Sequence, residues 1–256
     1  MIVHILATYD LRDIHSIINA APVLHVSYNS PDPEDPFPTL LPMIGIMGSY
    51  DHPSADISEP MDCYLHGYVS SGVMKQARAG PEKGLPMTVA ATKVDGIVLS
   101  LTPNSHSYNY RSAVLFGYGS LVEDPEEKLW AMRLVTNSVV PSRWENSRWP
   151  PDNAEMVSTT ILKVKVVNGS GKIRTGGPGD EKKDTDREDL LESVWTGVVP
   201  IWEHVGDPVA GGASRVKEVP EHVRAFQADV NETNGDYAKT AAASKSLGGQ
   251  EAVVSL

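Results

Sequence analysis

LPMTVAATKVDGIVLSLTP, residues 85–103, carries the strongest local signal in the chain. Val, Ile, Thr and Leu fill both halves, and these residue types suit a pleated, half-buried surface. Between the halves stands Asp95-Gly96, a two-residue hairpin signature, because Gly reaches positive φ freely and Asp tolerates it. The stretch therefore reads as two strands joined by a tight turn. Outward from it, β-rich runs recur. APVLHVSY (21–28) and TLLPMIGIMG (39–48) flank the Pro- and Asp-rich NSPDPEDPFP and read as another hairpin. MDCYLHGY (61–68), YRSAVLFGYGSLV (110–122) and STTILKVKVVNGSGKIR (158–174) supply further strands, and VWTGVVPIWEHVGDPV (194–209) a final or flanking one.

Helical patterns are few. DLRDIHSIINA (10–20) sets Leu11, Ile14, Ile17 and Ile18 at helical spacing behind an Asp10 cap. A short helix is expected over 71–79, with Val73, Met74 and Ala77 inward and Gly80-Pro81 ending it. DPEEKLWAMRLVTNSVV (124–140) has Pro125 in its first turn and Leu129, Met132, Leu134 and Val135 on an apolar side. Evenly spaced strands with few helices between them indicate a mainly β, antiparallel barrel, and exclude the usual doubly wound dinucleotide fold. One domain is expected over 1–219, with a charged insert loop at about 176–190 and a loosely structured tail over 220–256.

With 22 basic and 33 acidic residues among 256, the net charge is −11, which repels nucleic acid and anionic lipid over most of the surface. The 41% hydrophobic content is enough for a substantial core. A single cysteine, Cys63, excludes an internal disulfide framework and reads as a small buried residue. With neither a signal-peptide pattern nor a long apolar segment, a cytoplasmic protein is expected.

G-x-G-x-x-G after a strand, Walker, G-x-S-x-G and H-E-x-x-H patterns are all missing, and the eight histidines stand singly, so no dedicated metal site is expected. Two polar clusters remain. In YLHGYVSSGVMK (64–75), Ser70 and Ser71 fall at a helix N-terminus, either as an anion site or as a plain cap. Gly67 permits close approach, and His66 is either functional or a satisfied core histidine. In TPNSHSYNYRSAVLFGYG (102–119), a dense polar block precedes an apolar strand, and Arg111 has no obvious counter-ion nearby, which favours a phosphate or carboxylate partner.

The order HG-x-x-S, V-D-G and N-Y-R-S-x-V-L-F-G resembles the flavin-nucleotide-binding branch of the pyridoxamine 5′-phosphate oxidase-related family. That branch includes bacterial nitroimidazole-resistance proteins and many fungal proteins, and the likeness runs from about Tyr9 to Val199. It implies a split β-barrel homodimer binding FMN, or in some relatives haem, between subunits. Pro38, Thr39 and Leu40 would lie along the isoalloxazine. His66, Gly67, Ser70 and Ser71 would line the ring edge and phosphate, and Asn109, Tyr110, Arg111 and Ser112 would complete the pocket or its dimer wall. Relatives commonly have Ser-Arg where this chain has Ser71-Gly72, so Lys75 is the substitute cation. Loss of such a charge-assisted bond costs about 1.5–3 kcal/mol.

The function implied is an FMN-dependent oxidoreductase with NAD(P)H as donor and a small nitro-aromatic or quinone as acceptor, with His66 as catalytic proton donor or substrate contact. Two rivals remain: a haem-binding protein, with His66, His106, His204 or His222 as axial ligand, and a non-catalytic flavin carrier or interaction module.

Overall fold

The structure is a computed structural model that describes residues 6–244. The strands are β1 (Leu6–Thr8), β2 (Leu24–Tyr28), β3 (Thr39–Gly48), β4 (Asp62–Tyr68), β5 (Leu85–Leu99), β6 (Ser107–Leu121), β7 (Thr159–Arg174) and β8 (Gly197–Pro200). The helices are α1 (Leu11–Ala20), α2 (Gly72–Ala79), α3 (Pro125–Val139), α4 (Asn153–Ser158), α5 (Lys182–Thr185), α6 (Glu188–Ser193) and α7 (Glu221–Ala243). Six strands close an antiparallel barrel in the order β7-β4-β3-β2-β5-β6, with β6 pairing back to β7, while β1 lies beside β7 and β8 beside β5. The fold is a mainly β split barrel.

Two compact bodies can be distinguished. Among the described residues, the larger comprises 8–92 and 112–171, and the smaller 6–7, 93–111 and 172–244. In the larger body, α1 begins where the Asp10 carboxylate accepts from the Asp13 N–H, and it buries Ile14, His15, Ile17 and Ile18. β2 and β3 form the expected hairpin, with Val26 opposite Leu41, and β3 pairs with β4, with Ile44 opposite His66. Tyr64, Val122, Ala131, Val135 and Ile161 make a core that fastens α3 against the barrel, helped by Trp130 and Leu134. A Cβ at Gly48 would sit 2.6 Å from Leu134 and 3.1 Å from Trp130, so the absent side chain is what lets the helix seat there. Cys63 is fully buried, and burial pushes its thiol up to about 12, so it packs as a small apolar residue rather than a nucleophile.

The smaller body corrects three expectations. Asp95-Gly96 is no turn: β5 runs unbroken through it. Asp95 is buried because both its oxygens accept from Arg111, at 2.7 and 3.0 Å. Gly96 is needed for close approach, since a Cβ there would meet Val198 at 2.8 Å, where β8 pairs with β5. Arg111, read as lacking a counter-ion, therefore has one sixteen residues back in sequence. The stretch from 220 is not loosely structured over its described part, because 221–243 form one helix; the remainder of that expected tail, 245–256, lies outside the described residues. Helix α7 escaped the apolar pattern because it docks through small and polar groups. Gly235, Ala238 and Ala241 are buried, Asn231 bonds both the N–H and the carbonyl of Val205 at 2.7 and 2.9 Å, and Tyr237 carries the Arg111 guanidinium 3.5 Å above its ring. The short α5 lies within the charged insert, and the chain runs on from it into α6.

Candidate functional site

Strand β4 delivers the first polar cluster, and strand geometry divides it. Adjacent residues point to opposite faces. His66 is exposed on the face it shares with Ile44 and Leu40, whereas a Cβ on Gly67 would meet Met74 of α2 at 2.4 Å and Met43 at 3.4 Å on the other. His66 and Gly67, expected to line one ring edge, are thus separated, as are Leu40 and Thr39 by the same alternation. Pro38, just before β3, is exposed, and Leu40 is 60% exposed.

Past Tyr68 the chain turns through Val69-Ser70-Ser71, with the Ser71 N–H donating to the Tyr68 carbonyl at 2.9 Å, and enters α2. Ser71 occupies the cap position but makes no side-chain cap bond. Its hydroxyl oxygen is buried and without a partner. The first N–H groups of α2 are consequently left without a side-chain acceptor at the positive end of the helix dipole, beside a hydroxyl with unused bonding capacity. Ser70 and Lys75 are exposed at this end. A Cβ at Gly72 would meet only the Tyr28 hydroxyl, at 3.9 Å. Tyr28 was not singled out from the sequence, where it reads as an ordinary strand-end aromatic.

His66 opens onto a cavity of about 300 Å³, lined also by Ile44, Met132, Val135, Val139 and Arg143. Loss of solvent around the imidazole lowers its pKa from the ordinary value, so the ring is neutral at neutral pH. Thr136 and Thr159 add hydroxyls to the lining. Among the described residues, the Arg143 side chain makes no ion pair, so it adds a free guanidinium to a lining of apolar side chains, one imidazole and two hydroxyls. Sequence reasoning missed Arg143; its one signal was its place in SRWENSRW, a polar stretch directly after a helix.

The second cluster is closed on itself except at one atom. Asn109, fully buried, accepts from Arg174 at 2.6 Å, although its amide nitrogen has no partner. Arg111 is taken by Asp95 and Tyr237. Tyr110 and Ser112 alternate to the other face of β6. His106 accepts from the Ser100 N–H through Nδ1, at 3.0 Å. Its proton therefore sits on Nε2, which leaves no lone pair there for a metal while that bond stands. Asn109 and Arg111 belong to the smaller body and the His66–Ser71 cluster to the larger.

Among the described residues, no three His, Cys, Asp or Glu side chains are grouped to hold a metal ion, and no helix is long and apolar enough to cross a membrane.

A closed antiparallel barrel of this order, with a few helices around it, is a split barrel. The family pattern for pyridoxamine 5′-phosphate oxidase matches residues 10–173, and the chain belongs to that family. The flavocytochrome Anf3 from Azotobacter vinelandii superposes with a TM-score of 0.68 at 24% identity, covering 86% of this chain and 92% of its own. The FAD and heme binding protein from Mycobacterium smegmatis superposes with a TM-score of 0.69 at 22% identity, covering 86% and 97%. At these identities the likeness shows the fold. No curated protein sequence matches the chain.

Proposed function

We propose that this chain binds a flavin nucleotide, FMN in the first instance, and serves as a flavin-dependent oxidoreductase. The observation that carries the reading is the buried, unpartnered Ser71 hydroxyl at the uncapped start of α2. A phosphate carries nearly two negative charges, and N–H groups, hydroxyls and one ammonium suit it in an otherwise acidic protein. Ser70, Ser71, the first N–H groups of α2 and Lys75 would hold it, while Leu40 and His66 would lie along the ring system. When bound, the flavin supplies the redox chemistry, with NAD(P)H as donor.

The residues themselves do the rest. Neutral His66 offers one ring N–H and one acceptor nitrogen to a molecule in its cavity. Arg143 offers a fork of donors that fits nitro, quinone or carboxylate oxygens. A second copy of the chain is the proposed cover for the exposed face carrying Leu40, Ile44 and Tyr68, which are 60, 40 and 64% exposed. The test is FMN titration of the purified protein followed by flavin fluorescence, then NAD(P)H oxidation with a nitro-aromatic acceptor. Saturable binding weakened in Ser71→Ala, and turnover lost in His66→Ala with flavin still bound, are expected. Retained turnover in the latter removes His66 from the mechanism.

Haem is the second reading. Both superposed proteins are described as haem-containing, one a flavocytochrome and the other binding FAD and heme. The His66 cavity supports it, since a neutral imidazole with apolar walls and one free guanidinium suits an iron and a propionate. A Soret band on haem addition that disappears in His66→Ala, but not in His106→Ala, would establish it.

A further inference from the structure

Helix α3 aligns Glu126, Leu129, Trp130 and Arg133 on one stripe, and the turns after it set Trp144, Glu145 and Trp149 against that stripe. Together they line an open cavity of about 570 Å³ that shares no residue with the His66 cavity. Its size is that of a small-molecule site. Nothing in the flavin reading uses it.

The walls are braced. Trp130 packs edge-on against Tyr64 at 5.1 Å and tilted against Tyr50 at 5.6 Å. Trp144 and Trp149 meet edge to face at 5.1 Å. The Trp144 backbone N–H donates to Asn137 Oδ1 at 2.8 Å, and Glu145 accepts from Asn137 at 3.0 Å and from Arg133 at 2.7 Å. Arg148 donates to the carbonyl of Pro150 at 2.9 Å, which holds the turn that presents Trp149. Trp149 is nevertheless 55% exposed, an indole kept at a cavity mouth rather than folded into the core.

Charge then selects among aromatic ligands. Arg133 is matched by Glu145, so that pair contributes no net charge. Glu126 makes no ion pair among the described residues and leaves the cavity net negative. Asp124 and Glu127 stand close by, and after burial the charges of Asp124, Glu126 and Glu127 raise the Tyr50 pKa, which marks the same negative field. Glu126 also suits the start of α3, but the helix dipole gives no reason for three indoles around it. Indole faces attract cations and stack on planar rings.

We propose that this cavity binds a planar organic cation of the N-alkylated pyridinium or quinolinium class, ring against Trp144 and Trp149 and positive charge toward Glu126. The test is isothermal titration calorimetry on the full chain with 1-methylquinolinium, against quinoline as its uncharged counterpart at mildly alkaline pH. The cation is expected to bind one to one and about tenfold more tightly than quinoline. Glu126→Gln should erase most of that preference, and Trp149→Ala should weaken both ligands about tenfold. Trp149→Phe, which keeps a ring face, should recover part of the binding and shows that the alanine effect is not misfolding. Absence of binding to the wild-type chain, whether the cavity is bare or covered by a second copy, overturns the proposal. So does equal affinity for both ligands, or binding indifferent to both Glu126→Gln and Trp149→Ala.

Discussion

The β4–α2 junction and the block from Asn104 to Ser112 look alike in sequence, each a knot of Ser, His, Asn or Arg at the edge of an apolar strand. In the folded chain they are opposites. In the second, the polar groups are largely consumed at home: Arg111 by Asp95, the Asn109 oxygen by Arg174, His106 by Ser100, and the nearby Leu101 N–H by Asp180, with the Asn109 amide nitrogen the one buried group left over among those named. At the junction, the Ser71 hydroxyl and the first N–H groups of α2 are left over. A polar cluster signals a ligand by what remains unsatisfied after folding, and composition alone cannot supply that remainder.

The sharpest way to break the contrast is to open the closed side. Asp95→Ala strands a guanidinium that is only 14% exposed, and a buried pair broken on one side costs about 3–5 kcal/mol. Urea unfolding should show that loss as a lower midpoint. Replacing both partners, Asp95→Leu with Arg111→Met, should recover most of it, because no charge is then left buried. If the single variant unfolds like wild type, Arg111 is free to serve a ligand and the closed reading fails.

On the open side the expected effects fall on affinity rather than stability. Gly72→Arg meets no steric obstacle, with only the Tyr28 hydroxyl at 3.9 Å. The added guanidinium should tighten FMN binding by about tenfold to a hundredfold, the range of a charge-assisted bond. Ser71→Ala removes a hydroxyl that bonds nothing in the protein, so unfolding should change by less than about 0.5 kcal/mol. FMN affinity in the same variant should fall about tenfold. A Ser71→Ala that loses stability but keeps affinity would make the serine a structural cap.

These cases also show how far sequence reading reaches. Elements whose cause is local were legible: the Asp10 cap and apolar stripe of α1, the run of β3 and the Pro125 start of α3 all stand as read. Asp95-Gly96 was misread because its cause is distant. A hairpin dipeptide and a buried acid beside a close strand crossing have the same letters, and only Arg111 and Val198 tell them apart. Helix α7 was missed because Gly235, Ala238 and Ala241 bury little apolar surface each and leave no hydrophobic period. In the site, the uncapped serine could be placed at the helix start from its sequence position. The split of His66 from Gly67 follows from strand alternation and was available to the eye. The cavity partners Arg143 and Trp144 were not, since they arrive from turns whose path no periodicity describes.

The smallest expected effect sets the same two conditions, partnered and open, side by side in two histidines. His15 is buried in α1 and its Nδ1–H donates to the Ile57 carbonyl at 2.7 Å; desolvation lowers its pKa despite that bond, which alone would raise it. His66 is open to its cavity and is lowered by desolvation as well. In both, the folded state binds the proton less readily than the unfolded chain, whose imidazoles titrate near 6.5. The contribution of these two imidazoles to the unfolding free energy should therefore be constant above about pH 7, and should decline as pH falls through 6.5 toward the lowered folded values. His15→Gln, which keeps a donor for Ile57, should flatten part of that decline, and His66→Gln the remainder. The two variants separate once FMN is present. A ligand lying against His66 should deepen its desolvation and steepen the acid-side loss in wild type and His15→Gln, and should leave His66→Gln unaffected. Equal FMN-induced steepening in all three would place the flavin away from His66.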